Sequence, residues 1–221
     1  DIQGRFTTIK AHGDIHRKNW SVSGKAMGLG MAAIGKSPGF KQVAGVFKAD
    51  QSGGTFKFKE SEPQLIWPKS FGRNIPSKID GAVLWWKSSA DWVVAAEDLR
   101  WRGDGMQADI DMQLQFHPDK PKPMLIVAAK LAPFGFDTAK RFWLRHIMPP
   151  SSIRWLDMAL EKGQVRDASI VIAGDLEHWP FSDKNGRFSA HADIQAERFK
   201  FAADWPAAEQ ATLKADFNGP G

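Results

Sequence analysis

Met106-Gln107-Ala108-Asp109-Ile110-Asp111-Met112-Gln113-Leu114-Gln115-Phe116 is the stretch on which the fold class turns. Apolar and polar residues alternate along it without a break, the period of a strand with one apolar face. At about 3.3 Å per residue it extends roughly 36 Å, well beyond the usual strand of about 5 or 6 residues. Upstream, Trp92-Val93-Val94 through Leu99-Arg100-Trp101 meets it across Gly103-Asp104-Gly105, residue types that favour a hairpin turn. Strand-like runs recur at 19–25, 55–59, 82–87, 125–130, 168–176, 188–196 and 211–217, separated by Gly, Pro, Asp and Asn. The reading is a mainly β fold: a long, twisted, curved antiparallel sheet forming a groove or open barrel, with a closed sandwich as the structural alternative.

One region interrupts the pattern. Asp137 is placed to cap a helix carrying Ala139, Phe142, Trp143, His146 and Ile147 at helical spacing, ending before Pro149-Pro150. Ser151 or Ser152 caps a second helix, with Ile153, Trp155, Leu156, Ala159 and Leu160 as its apolar stripe and Gly163 as its stop. The expected organisation is a β-sheet segment over 1–136, a short helical pair over 137–162 and a continuation of the sheet over 163–221, all one continuous unit.

The 221 residues are 43% hydrophobic, ordinary for an ordered chain with a sizeable core. Thirty Lys and Arg against 25 Asp and Glu give a net charge of +5, which admits anionic partners without selecting one. There is no Cys, so disulfides and thiolate metal sites are excluded. No apolar run approaches the roughly 18 residues of a membrane span. Asp1-Ile2-Gln3-Gly4 lacks signal-peptide character, and the chain is expected to be an excerpt of something longer. Ten Trp and fifteen Phe with no Tyr supply large apolar area with few polar handles.

Several motifs compete for a function. Gly30-Met31-Ala32-Ala33-Ile34-Gly35-Lys36-Ser37 satisfies the phosphate-binding P-loop template, with Ile170-Val171-Ile172-Ala173-Gly174-Asp175 as an acidic strand partner. That chemistry needs a helix starting at Lys36-Ser37, and Pro38-Gly39 opposes one. His12 and His16 lie roughly 13 Å apart in extended chain, too far to share a metal. No nucleophile signature or carboxylate pair appears, so no enzyme activity, cofactor or metal is expected. Trp85, Trp86, Trp92 and Trp101 fit stacking platforms for a sugar, although core packing explains them as readily. Phe56 and Phe58 alternating with Lys57 and Lys59 imitate a nucleic-acid platform, yet a one-sided charged strand accounts for them and no nucleic acid is expected. The 106–116 stripe, taken alone, fits a sandwich core as well as a ligand surface.

From Asp137 onward the chain resembles the AsmA-like, YhdP family. The resemblance is carried by Pro149, Trp155-Leu156-Asp157-Met158-Ala159-Leu160, Gly163, Gly174-Asp175-Leu176, Trp179-Pro180-Phe181, Gly186-Arg187-Phe188, Asp204-Trp205-Pro206 and Ala215-Asp216-Phe217-Asn218-Gly219. More loosely, Pro63-Gln64-Leu65-Ile66, Gly81-Ala82-Val83-Leu84-Trp85-Trp86 and Ala96-Glu97-Asp98-Leu99 extend it over nearly the whole chain. Phe142-Trp143-Leu144-Arg145 and the Pro-Pro pair depart from the family's pattern at the helix boundary. The resemblance implies a segment of a periplasmic protein, anchored in the inner membrane of a Gram-negative bacterium, that conducts phospholipid between inner and outer membranes along an apolar β-groove. Its implied partners are phospholipid acyl chains, both membranes and neighbouring segments of the same long chain. Met106, Ala108, Ile110, Met112, Leu114 and Phe116 are then the candidate lipid-lining residues, with Lys and Arg at the rim for head groups. A carbohydrate-binding or scaffolding β-module of the cell envelope is the second reading, and a P-loop nucleotide-binding protein the third.

Overall fold

The computed structural model describes residues 2–14, 19–35, 37–59, 62–146 and 148–219. Fourteen strands form one antiparallel sheet. In chain order they are β1 (Ile2–Asp14), β2 (Asn19–Met31), β3 (Gly39–Asp50), β4 (Gly53–Phe58), β5 (Gln64–Ile66), β6 (Asn74–Asp80), β7 (Ala82–Ser88), β8 (Asp91–Gly103), β9 (Met106–Phe116), β10 (Met124–Leu131), β11 (Phe134–Gly135), β12 (Leu160–Asp175), β13 (Gly186–Phe199) and β14 (Ala208–Asn218). The main path runs β1-β2-β3-β4-β7-β8-β9-β10-β12-β13-β14. With about 4.8 Å between strands, this is a sheet roughly 48 Å across.

The topology is a meander because each connection is short and each turn carries suitable residues. Between β8 and β9, Asp104 (φ 50°) and Gly105 (φ 85°) both sit in the left-handed region. That is the two-residue hairpin whose twist matches its strands. The predicted β9 stripe therefore begins at the turn and spans its full eleven residues. Two strand positions are split. β3 pairs β5 at its start and β4 at its end, and β8 likewise divides one edge between β6 and β7.

The helical pair is present but shorter and differently bounded than its residue pattern predicts. The first helix of the chain is a single turn, α1 (Pro68–Phe71). α2 spans only Phe136–Arg141. It stops because its aromatic residues are drawn apart. The Phe142 ring packs edge-on against Phe71 at 5.5 Å and Trp101 at 6.0 Å, whereas Trp143 Nε1 donates to Asp157 Oδ1 at 2.9 Å. Ile147, counted in the predicted stripe, lies outside the described residues. α3 runs Pro150–Ala159 with Pro149 at the cap position and no side-chain cap from Ser151 or Ser152. Pro150 supplies the start instead, since its missing N–H is one the first turn leaves unused anyway. Leu160 and Gly163 belong to β12, opposite Phe199 and Ala196; pairing along the sheet captures the residues that helical periodicity assigned to α3.

The buried residues concentrate at one end of the sheet. Phe136, Leu160, Val165, Ala168 and Ala196 form a cluster on which Leu131, Phe134, Trp143, Leu156 and Leu213 pack. Ile75, Ser70 and Ser77, in the β5–β6 region, are also buried, and Arg145 N–H donates to the Ser70 carbonyl at 3.4 Å, tying that region to the segment after α2. Away from this end, among the described residues, only the 176–185 connection with Trp179 and Phe181 covers the sheet. The accessible surface is 14209 Å², against about 10,100 Å² expected for a compact monomer of this mass.

Candidate functional site

Direct cross-strand partners share a face, so the register can be followed side chain by side chain. Starting at β1, Ala11 faces Val22, Ala49, Gly54, Trp85, Val94, Leu114, Leu125, Gly174 and Gly186 in succession across ten strands. A second row holds Ala96, Met112, Val127, Ile172 and Phe188. A third holds Leu99, Ile110, Ala129, Ile170, Ala190 and Phe217. None of these rows contains a charged side chain. They make one apolar face that continues from strand to strand.

The structure places the predicted stripe in the middle of this face. Met106 is 9% exposed, opposite Gly103 at the end where the buried cluster lies. Ala108, Ile110, Met112 and Leu114 are half-buried, and Phe116 at the far end is 43% exposed. Reading β9 alone misses that Val127, Ile170, Ile172, Phe188 and Trp85 extend the same surface. On β10 the alternation is masked, because Met124 and Ile126 on the opposite face are apolar too. Only the register assigns the two sets to different sides. Of the four singled-out Trp residues, Trp85, Trp92 and Trp101 fall on the apolar face and Trp86 on the other.

The far end of β12 and β13 is closed by one side chain. Phe181, 2% exposed, lies against Gly174 and Gly186. A Cβ at either glycine would come within 2.3–2.6 Å of its ring. Trp179 stacks edge-on against both Phe181 and Phe188 at 5.3 and 6.0 Å. Asp175 Oδ1 accepts from Glu177 N–H at 3.0 Å, and its other oxygen accepts from Lys120 Nζ at 2.7 Å. Lys120 holds the Asp175 carboxyl below the usual carboxylate range, with the Glu177 amide adding to the effect.

The P-loop reading fails on geometry. Ser37 N–H donates to the Ile34 carbonyl at 2.9 Å in a tight turn, and β3 begins at Gly39, so no helix follows to present amides to a phosphate. Lys36 itself lies outside the described residues, as does His16 of the His12/His16 pair. Among the described residues no group of three or more His, Cys, Asp or Glu is placed to hold a metal, and no helix is long and apolar enough to cross a membrane.

A wide antiparallel sheet with one uninterrupted apolar face is the architecture that the family resemblance implies, and a model of the family described as "YhdP protein" matches residues 3–221. The chain belongs to the YhdP family. Its similarity to the intermembrane phospholipid transporter YhdP of Escherichia coli (strain K12) is 24% identity over 104 residues, 47% of this chain and 8% of that protein. The chain thus spans a small part of the length of its curated relative. No solved structure matches it. Several residues that carry the resemblance to YhdP now have structural reasons. In Gly174-Asp175-Leu176 the glycine makes room for Phe181, and the aspartate caps the short helical turn Leu176–His178. In Trp179-Pro180-Phe181 the two aromatics roof the end of the apolar face. Trp155, from the α3 match, donates its Nε1 proton to the Phe201 carbonyl at 2.8 Å and so ties α3 to the 200–207 loop.

Proposed function

We propose that this chain is one segment of a periplasm-spanning lipid conduit, in which phospholipid acyl chains run along the apolar face of a curved sheet while head groups stay at its rim. The observation that carries the reading is the continuity of the apolar rows: acyl chains need a dry surface without a charged interruption, and nothing more specific. At about 0.8 kcal/mol per buried methylene, a sixteen-carbon chain shielded along half its surface gains on the order of 6 kcal/mol. That is enough to leave water without being trapped. Ala108, Ile110, Met112, Leu114 and Phe116 line the path, with Met106 at the end beside the buried cluster. The thioether of Met112 adapts to irregular chains.

The same reading makes 1–136, 137–162 and 163–221 one continuous unit within a longer chain. β1 and β14 are the outer strands of the path, and neighbouring segments of that chain would pair with their free edges. Inner and outer membranes are the partners of the full-length protein, anchored in the inner one. Binding and sliding of lipid calls for no catalytic step, so the segment is read as non-enzymatic. Mass spectrometry of organic extracts of the purified chain tests this directly. Stoichiometric phospholipid is expected, and Met112→Asp with Leu114→Asp should abolish it while circular dichroism stays unchanged. Extracts free of lipid in both forms would reduce the face to a scaffold surface.

A further inference from the structure

The opposite, polar face carries a feature that lipid conduction does not use. An open depression of about 510 Å³ lies over β1–β4 and β7, within the size range of small-molecule sites. Two register rows build it. In one, Lys10 faces Ser23, which faces Lys48, which faces Thr55. In the other, His12 faces Ser21, and Gly53 faces Trp86. Gly53 lets β4 and β7 approach closely, since a Cβ there would meet the Trp85 carbonyl, and Trp86, 38% exposed, lines the hollow beside it.

The charges here are uncompensated. Residues 1–59 hold ten Lys and Arg against three acidic residues, although the whole chain nets only +5. Over β9–β14 three lysines meet acids: Lys130 with Asp167 at 3.7 Å, Lys162 with Glu197 at 2.6 Å, Lys214 with Asp193 at 3.9 Å. Among the described residues neither the Lys10 nor the Lys48 ammonium has an ion-pair or hydrogen-bond partner. Asp50 is the acid that lines the hollow, and its Oδ1 is turned into its own hairpin, accepting from Ser52 N–H at 2.7 Å, Ser52 Oγ at 2.5 Å and Gly53 N–H at 3.2 Å.

We propose that this hollow is a binding site for a phosphorylated sugar, with Lys10 and Lys48 on the phosphate, Ser23 and Thr55 on the ring hydroxyls, and Trp86 against the apolar face of the ring. Two ammonium groups flanking a hydroxyl floor suit a phosphomonoester. Hydroxyl side chains both donate and accept, which matches a polyol better than the fixed pattern of a base edge. An indole offers the flat apolar wall that a pyranose face packs on. The ligand is free in solution or is the head group of a glycolipid, and the two sources share this chemistry.

Isothermal titration calorimetry at low ionic strength, where exposed charges are least screened, tests the site on the 221-residue chain. Glucose 6-phosphate should bind saturably, with glucose and inorganic phosphate each at least about tenfold weaker because each keeps only half the contacts. Lys48→Ala should weaken glucose 6-phosphate binding about tenfold and Trp86→Ala about threefold to tenfold, with folding verified by circular dichroism. Vesicles carrying a phosphorylated glycolipid, set beside phosphatidylglycerol vesicles, decide between the two sources. No saturable binding of glucose 6-phosphate, equal binding of inorganic phosphate with no loss in Trp86→Ala, or tighter binding of adenosine monophosphate would each overturn the proposal. Co-purified phospholipid should be the same in all these variants, since the lipid reading rests on the other face. The two readings therefore fail separately.

Discussion

Phe181 shows how a single residue sets the end of a surface. Its ring fills a notch that exists because Gly174 and Gly186 face each other on β12 and β13. Gly186→Ala forces the ring out and should cost about 1–3 kcal/mol, the usual penalty of overpacking, read from urea denaturation. The penalty should shrink in a Phe181→Leu background, because the two sites share one contact. A second residue-scale device is His191, whose Nδ1 lies 2.7 Å from Asp216 Oδ1 across β13 and β14. Asp216 raises the imidazole above its ordinary value, with Asp193 assisting and Lys214 opposing. A raised folded pKa stabilises the pairing fully below the unfolded value of about 6.5, and this contribution is lost as pH rises through the folded one. The His191 ring protons should titrate above about pH 6.5 by NMR, and Asp216→Asn should lower the midpoint.

Among the elements, the β8–β9 hairpin is braced from outside the sheet. Asp104 at its tip pairs with Arg73 and, at 3.2 Å, with Arg141 Nε, while Arg141 Nη2 also donates to the Asp104 carbonyl at 2.9 Å. The turn is thereby held to the loop after α1 and to the last turn of α2. All three side chains are partly exposed, so the pairs are screened and Asp104→Asn, which keeps a residue tolerant of positive φ, should cost only about 1 kcal/mol. For a chain of this size that lowers the melting temperature by about 2–4 °C. The difference should fade in 1 M salt. The brace also explains why α2 is short: its last residue serves the hairpin, and the next, Phe142, packs on Trp101 of β8.

At the scale of the molecule, a single-layer sheet has a measurable shape. A compact chain of this length has a radius of gyration of about 17 Å, and small-angle scattering should return a clearly larger value, in line with the excess accessible surface. A value at 17 Å would mean that the apolar face folds onto itself. Exposed edges at β1 and β14 also predict concentration-dependent association through strand pairing, visible as a rising apparent mass in light scattering and suppressed by a lysine on the polar face at the middle of β14, such as Thr212→Lys, which leaves Leu213 on the buried cluster.

The strands β2, β4, β7–β10 and β12–β14, the hairpin at Asp104-Gly105 and the β class were legible in the amino-acid sequence, because period-2 alternation and turn residues act within a few positions of each other, whereas β1, β3, β5, β6 and β11 were not picked out by it. So was the apolar stripe of β9. What only the tertiary structure decided depends on partners far apart in the chain. The ends of α2 and α3 moved because Phe142 and Leu160 found better contacts with β8 and β13 than helical continuation offered. The extent of the apolar face required knowing that Trp85, Leu114 and Leu125 share one row, and a shift of one residue in any register would have turned a strand's apolar set to the other side. The cationic hollow arises in the same way: Lys10 and Lys48 come together across three strands through hydrogen-bond register, an interaction that local sequence does not encode.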